Sequence, residues 1–109
     1  MKKLLSTTAL LLIALANVSY GQDFEETKAR AEQGNATAQT QLGFMYERGE
    51  GVPQNNVRAY VWFSVAAAQG YEVARSSRDI ASERLTPEQL ARGQDMATRC
   101  FESNFQDCE

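Results

Sequence analysis

From Ala31 to Gly70, apolar residues of alternating size recur at helical spacing. The run reads Ala31-x-x-Gly34-x-Ala36-x-Ala38-Gln39-x-x-Leu42-Gly43-x-Met45-Tyr46-x-x-Gly49-x-Gly51-Val52, then Ala59-x-x-Trp62-x-x-x-Ala66-Ala67-x-x-Gly70. Ala38, Leu42, Met45 and Tyr46 fall at i, i+4, i+7 and i+8, one stripe of a helix that Asn35 can cap. Gly43 sits beside that stripe, where the missing side chain admits a neighbouring helix. Its presence costs about 1 kcal/mol of helix propensity relative to alanine, so close packing has to offset it. The segment Gly49-Glu50-Gly51-Val52-Pro53-Gln54-Asn55 ends the helix. A second apolar face, Ala59, Trp62, Phe63, Ala66 and Ala67, predicts a helix from about Asn56 to Gln69, with Gly70 as its stop. The two form a helical hairpin.

Three further helices flank it. Asp23 is placed to cap a first helix running to about Gln33, with Phe24, Ala31 and the stem of Lys28 on one face and Gly34 at its end. A fourth is predicted over Glu72 to Leu85, with Ala74, Ser77, Ala81 and Leu85 on its buried stripe and Ile80 alongside. Thr86-Pro87-Glu88-Gln89 then combines a cap, a proline at the first helical position and a capping-box glutamine. The fifth helix follows through Leu90, Ala97 and Phe101 toward Ser103. Gly34 and Gly70, Ala31 and Ala67, and Ala38 and Ala74 are each 36 residues apart, the period of a helical-hairpin repeat. The register then lapses, since Leu42, Gly43 and Tyr46 are answered by Arg78, Asp79 and Ser82. The last two helices therefore read as a divergent cap with a more polar outer face, which stacked repeats need at their ends.

The hairpin resembles the Sel-one-like repeat, a tetratricopeptide-like α-hairpin, at Ala38, Leu42, Gly43, Tyr46, Gly49, Gly51, Ala59, Trp62, Ala66 and Gly70. One full unit spans about residues 31–70 and the divergent cap residues 71–109, and the stretch from Thr86 to Cys108 resembles small exported members of the family. The resemblance implies an all-α chain, a short α/α superhelix of about five helices forming a right-handed fragment, and a non-enzymatic scaffold for another protein. It implies that Trp62 packs in the core. The second helix would present its inner surface through Gln41, Phe44 and Arg48. Phe44 and Tyr60 fall off the main stripes and off the defining positions, which makes both candidates for exposed aromatic anchors. A rival reading comes from cysteine-rich relatives of the repeat, which carry cysteine pairs eight positions apart and are linked to binding or hydrolysing β-lactams.

The N-terminus changes where the chain is expected to work. Met1-Lys2-Lys3, the apolar run Leu4 to Ala16 and the small residues Ser19 and Gly21 form the three parts of a secretory signal over residues 1–21. Cleavage is expected before Gln22, with Ala14 and Ala16 offering an earlier site. The apolar run falls short of the roughly 20 residues a bilayer span requires, so no stable membrane span is expected after cleavage. The expected product is periplasmic or secreted, as residues 22–109.

Charge and residue types narrow the chemistry. Losing Lys2 and Lys3 takes Lys+Arg from 11 to 9 against 14 Asp+Glu, a net charge of −5. Lys28 is then the one lysine left, and no basic stripe exists to displace counterions from phosphates, which argues against nucleic acid. The sequence has no histidine, which removes Ser-His and Cys-His nucleophilic pairs. The carboxylates fall mostly on predicted solvent faces or first turns of helices. No catalytic residue, metal site or cofactor is expected. Cys100 and Cys108 are the only cysteines, too few for a four-ligand zinc site, and in an exported chain a disulfide is expected. In one unbroken helix their α-carbons would be about 12 Å apart, beyond the roughly 7 Å limit for a disulfide. Pairing therefore requires the helix to end near Ser103 and Asn104 and the tail through Phe105 to fold back. So short an array could also stack on itself, which makes self-association an expectation alongside an unidentified protein partner.

Overall fold

A computed structural model describes residues 23–109. The expected signal segment and its cleavage site lie outside the described residues. Five helices follow one another: α1 over residues 23–32, α2 Ala36–Arg48, α3 Asn56–Ala68, α4 Glu72–Glu83 and α5 Pro87–Glu102. No strand occurs among the described residues, and the fold is the all-α arrangement expected of a helical hairpin repeat.

Each boundary has a local cause. The Asn35 side chain accepts from the Ala38 N–H at 3.0 Å, and Asn55 does the same for Arg58 at the start of α3. Gly49 ends α2 in the left-handed region, where its N–H returns to the Met45 carbonyl and Arg48 supplies a cation to the last turn. At α5 the capping box is complete, with Thr86 accepting from Gln89 N–H at 3.1 Å and Gln89 accepting from Thr86 N–H at 3.0 Å. Two expectations at helix ends are corrected. Asp23 is already helical, so it does not serve as the cap of α1, and α4 stops at Glu83 with a tight turn at Arg84.

The third helix is the axis of the molecule. Nine of its thirteen residues are buried, because α2, α4 and α5 all pack against it. A helix covered on several sides is expected to be apolar nearly all round, and Val57, Ala59, Val61, Trp62, Phe63, Val65 and Ala66 fit that. Two glycines set how closely its neighbours approach. A Cβ on Gly43 of α2 would fall 2.5 Å from Phe63 Cε1, and one on Gly93 of α5 would fall 2.9 Å from Tyr60 Cδ1. The aromatic rings fill the space the glycines leave, so apolar burial and dispersion offset the lost helix propensity. Helix α4 pairs with α3 through Ala67 and Ala74, and it hardly touches α5. The second hairpin is thus opened across α3, not closed on itself.

The cap is less polar than expected. Ala74 and Ala81 are buried on α4, but Ile80, placed beside their stripe from sequence, is 51% exposed, and Val73 is 52% exposed. Phe101 on α5 is half exposed as well. With α5 drawn onto α3, no helix among the described residues covers that side of α4.

Beyond α5 the chain turns back. Asn104 and Phe105 both have positive φ, 59° and 67°, and the Phe105 N–H bonds to the Cys100 carbonyl at 2.8 Å. This reversal brings Cys108 to Cys100, with α-carbons 4.3 Å apart and a disulfide between them. The tail then reaches α1 and the start of α2: Phe105 lies on Gly34, and Gln106 Nε2 donates to the Glu32 carbonyl at 2.8 Å.

Candidate interaction surface

Gln41, Phe44 and Arg48 share the more exposed face of α2. Gln41 and Arg48 are exposed, and Phe44 is half-buried. The Phe44 ring meets Phe63 in the core in an edge-to-face contact with 5.0 Å between centroids, and the Arg48 guanidinium lies 4.9 Å from the Phe44 centroid. A ring held from beneath by the core and flanked by a cation is orientationally fixed yet still accessible. Around it lies an open depression of about 370 Å³, walled by Glu26, Thr27 and Arg30 of α1 and floored by Phe44 and Met45. The Arg48–Glu50 pair across its rim is 3.8 Å long and mostly solvated, so it holds Arg48 only weakly.

The fourth expected member does not belong to this surface. Tyr60 is 8% exposed and faces Gly93 of α5. From sequence it fell off the α2-facing stripe of α3, but a second partner helix covers that other side. The signal that could have placed it was Gly93, a glycine inside an otherwise good helix former.

The surface also extends further than Gln41 and Phe44. Val73 and Ile80 stand 36 residues after Thr37 and Phe44, the repeat period, so α4 repeats the outward positions of α2. The two helices are joined by a 2.6 Å bond from Arg84 Nη1 to Glu47 Oε1. Two of the three exposed large apolar side chains among the described residues, Val73 and Ile80, thus stand where the repeat register places them.

A second polar cluster forms where the tail meets α1 and α2. Glu109 accepts from the Tyr46 hydroxyl and pairs with Lys28 Nζ at 3.1 Å. Burial pushes the Glu109 carboxyl up, but the bonds from Tyr46 and Lys28 outweigh it and hold it below its ordinary range. The same bond raises Lys28, and burial together with the Glu109 carboxylate raises Tyr46. Inside, the Gln39 amide is fully buried, donates to the Ala31 carbonyl at 3.0 Å and accepts from Gln69 Nε2 at 2.6 Å. This amide ties the ends of α1 and α3 to α2, and its burial could not be read from an apolar pattern. The polar groups of both clusters find partners within the fold. Cys100 and Cys108 are bonded to each other and carry no thiol. Among the described residues no group of three or more potential ligands is placed to hold a metal, and no helix is long and apolar enough to cross a membrane.

The resemblance seen at the signature positions is matched at family level. Residues 36–71 fit the model of the Sel1 repeat, a span that takes in α2, the glycine loop, α3 and the turn to α4. No curated protein and no solved structure shows a significant match to the chain. The buried positions Ala38, Leu42, Tyr46, Ala59, Trp62 and Ala66, and the turn glycines Gly49, Gly51 and Gly70, all fall within that span. Over residues 36–71 the chain is thus similar to the Sel1 repeat, in sequence pattern and in the helical hairpin it forms.

Proposed function

We propose that this protein is an exported, non-enzymatic scaffold that works in the cell envelope by holding a partner protein against the outward face of α2. The observation that carries this reading is the placement of Phe44. The core pins it through Phe63, and it lies open in a mixed apolar and charged depression between α1 and α2. Such a depression suits an extended segment of a partner, with Gln41 available to its backbone and Arg30 and Arg48 to its carboxylates. Exposed Val73 and Ile80 lengthen the same row.

Export is supported by the three-part N-terminal signal and by the cysteine pair, which suits an oxidising compartment. The test is site-specific crosslinking in cells from a photoreactive residue at position 44, compared with one at exposed Arg75 on α4. A discrete adduct formed from position 44 and lost on Arg48→Ala or Gln41→Ala supports the assignment. Equal adducts from both positions, or none from position 44, would sink it.

A further inference from the structure

Helix α5 presents a different face, away from the Phe44 depression. Arg92, Asp95, Arg99 and Glu102 are all exposed along it, and their charges alternate at spacings of three, four and three. A row of this kind is complementary to its own reverse. If two α5 helices lie antiparallel with their midpoint at Ala97, Arg92 of one copy faces Glu102 of the other and Asp95 faces Arg99. Within one copy, Asp95 and Arg99 are only loosely paired, at 3.6 Å with both side chains more than half exposed, so both are free to re-pair.

At the Glu102 end of this row lies an apolar groove of about 310 Å³ between α3 and α5, floored by Ser64, Val65, Ala68 and Ala97. Phe101 stands in its wall, half exposed. One face therefore carries both a projecting ring and a recess, which is what an isologous two-fold interface requires. The antiparallel register puts Phe101 of one copy level with Gly93 of the other. Helical side chains lean toward their own N-terminus, and this tilts the ring toward the Ala97 end of the groove in the facing copy.

We propose that two copies of this chain pair through α5, with the charge row in reciprocal register and each Phe101 directed into the groove of the other copy. The α5 helix has 16 residues, a length of about 24 Å. That face is smaller than the roughly 800 Å² per partner of a standard interface, so the dimer is weak, with a dissociation constant between about 1 μM and about 1 mM.

Sedimentation equilibrium of the purified protein up to about 1 mM tests this. The expected result is a concentration-dependent dimer that weakens with added salt. Asp95→Arg and Arg99→Asp should each weaken association at least tenfold, because each sets like charges against the other copy. The double variant Asp95→Arg/Arg99→Asp should restore it. Helicity measured on the same samples separates association from folding. Phe101→Ala should weaken the dimer without changing its salt dependence. A monomer at every concentration overturns the proposal, including the case in which this face serves a different protein. So does a dimer that the single charge reversals leave intact.

Discussion

The ring of Phe105 lies directly over Gly34, so that a Cβ on Gly34 would sit 3.2 Å from Phe105 Cε2. Gly34 also has φ +94°, a conformation L side chains rarely adopt. The turn between α1 and α2 and the reversal after α5 are thus fitted to one another across the whole length of the fold. Gly34→Ala should destabilise the protein by about 1–3 kcal/mol through backbone strain, with a smaller part from the ring. Urea denaturation of Gly34→Ala, Phe105→Ala and the double variant separates the two. The double variant should recover only the steric part, and full recovery would show that the backbone conformation carries no penalty.

The contacts of Glu109 predict a window of pH for tail docking. Its folded carboxyl is held below the ordinary range, so its contribution is complete above the unfolded value near 4.3 and is lost as pH falls through the folded value. Lys28 and Tyr46 are raised, so their contributions are complete below their unfolded values near 10 and are lost as pH rises further. Hydrogen exchange at the amides of residues 103–109 should be slowest, after correction for intrinsic rates, between about pH 4 and about pH 10. Glu109→Gln should remove the acid-side loss and weaken docking in the plateau by about 1 kcal/mol, reduced by the partial exposure of both partners. An unchanged acid limb in that variant would assign it to another carboxylate.

The hairpin was legible because its causes are local. Asn35, Gly49, Asn55 and the Thr86–Gln89 box act within one turn of the residues they cap, and the apolar stripe of α2 faces one partner. What could not be read depended on the number of partners a helix has. The stripe of α3 marked one neighbour, and Tyr60 turned inward because α5 covers another side. Ile80 turned outward because α5 left α4 for α3. The folded-back tail was legible as a condition on the two cysteines, whereas its contacts with Gly34, Lys28 and Tyr46 join residues more than sixty positions apart and leave no periodic trace.

The disulfide closes a short loop, and the chain-entropy model gives about 2–3 kcal/mol for it. Replacing both cysteines by serine should lower stability by that amount in urea and free the tail from Gly34 and Glu32. Helix α5 should fray from Glu102 back toward Thr98, while exchange in α2 and α3 slows or quickens only with global stability. Equal loss of protection throughout would mean that the tail and the hairpin unfold as one unit. The Cys108→Ser variant alone is less informative, because it leaves a free Cys100 thiol able to pair between molecules.

The two interior glycines should respond differently to the same substitution. Alanine gains about 1 kcal/mol of helix propensity at either site, while overpacking costs about 1–3 kcal/mol. At Gly43 the added methyl meets Cε1 and Cδ1 of Phe63 at 2.5 and 2.6 Å, and Phe63 is fully buried with Phe44 packed against it. That ring has no free direction in which to move, so Gly43→Ala should be destabilising by about 1–2 kcal/mol net and should shift Phe44. At Gly93 the nearest atom is Tyr60 Cδ1 at 2.9 Å, on a side chain that keeps 8% exposure where Phe63 has none. A small rotation relieves that contact, and Gly93→Ala should fall within about 1 kcal/mol of the native protein. Calorimetric midpoints for the two variants, ordered Gly43→Ala below Gly93→Ala, check this. The reverse order would mean that α5, and not α2, is the helix held most tightly against α3.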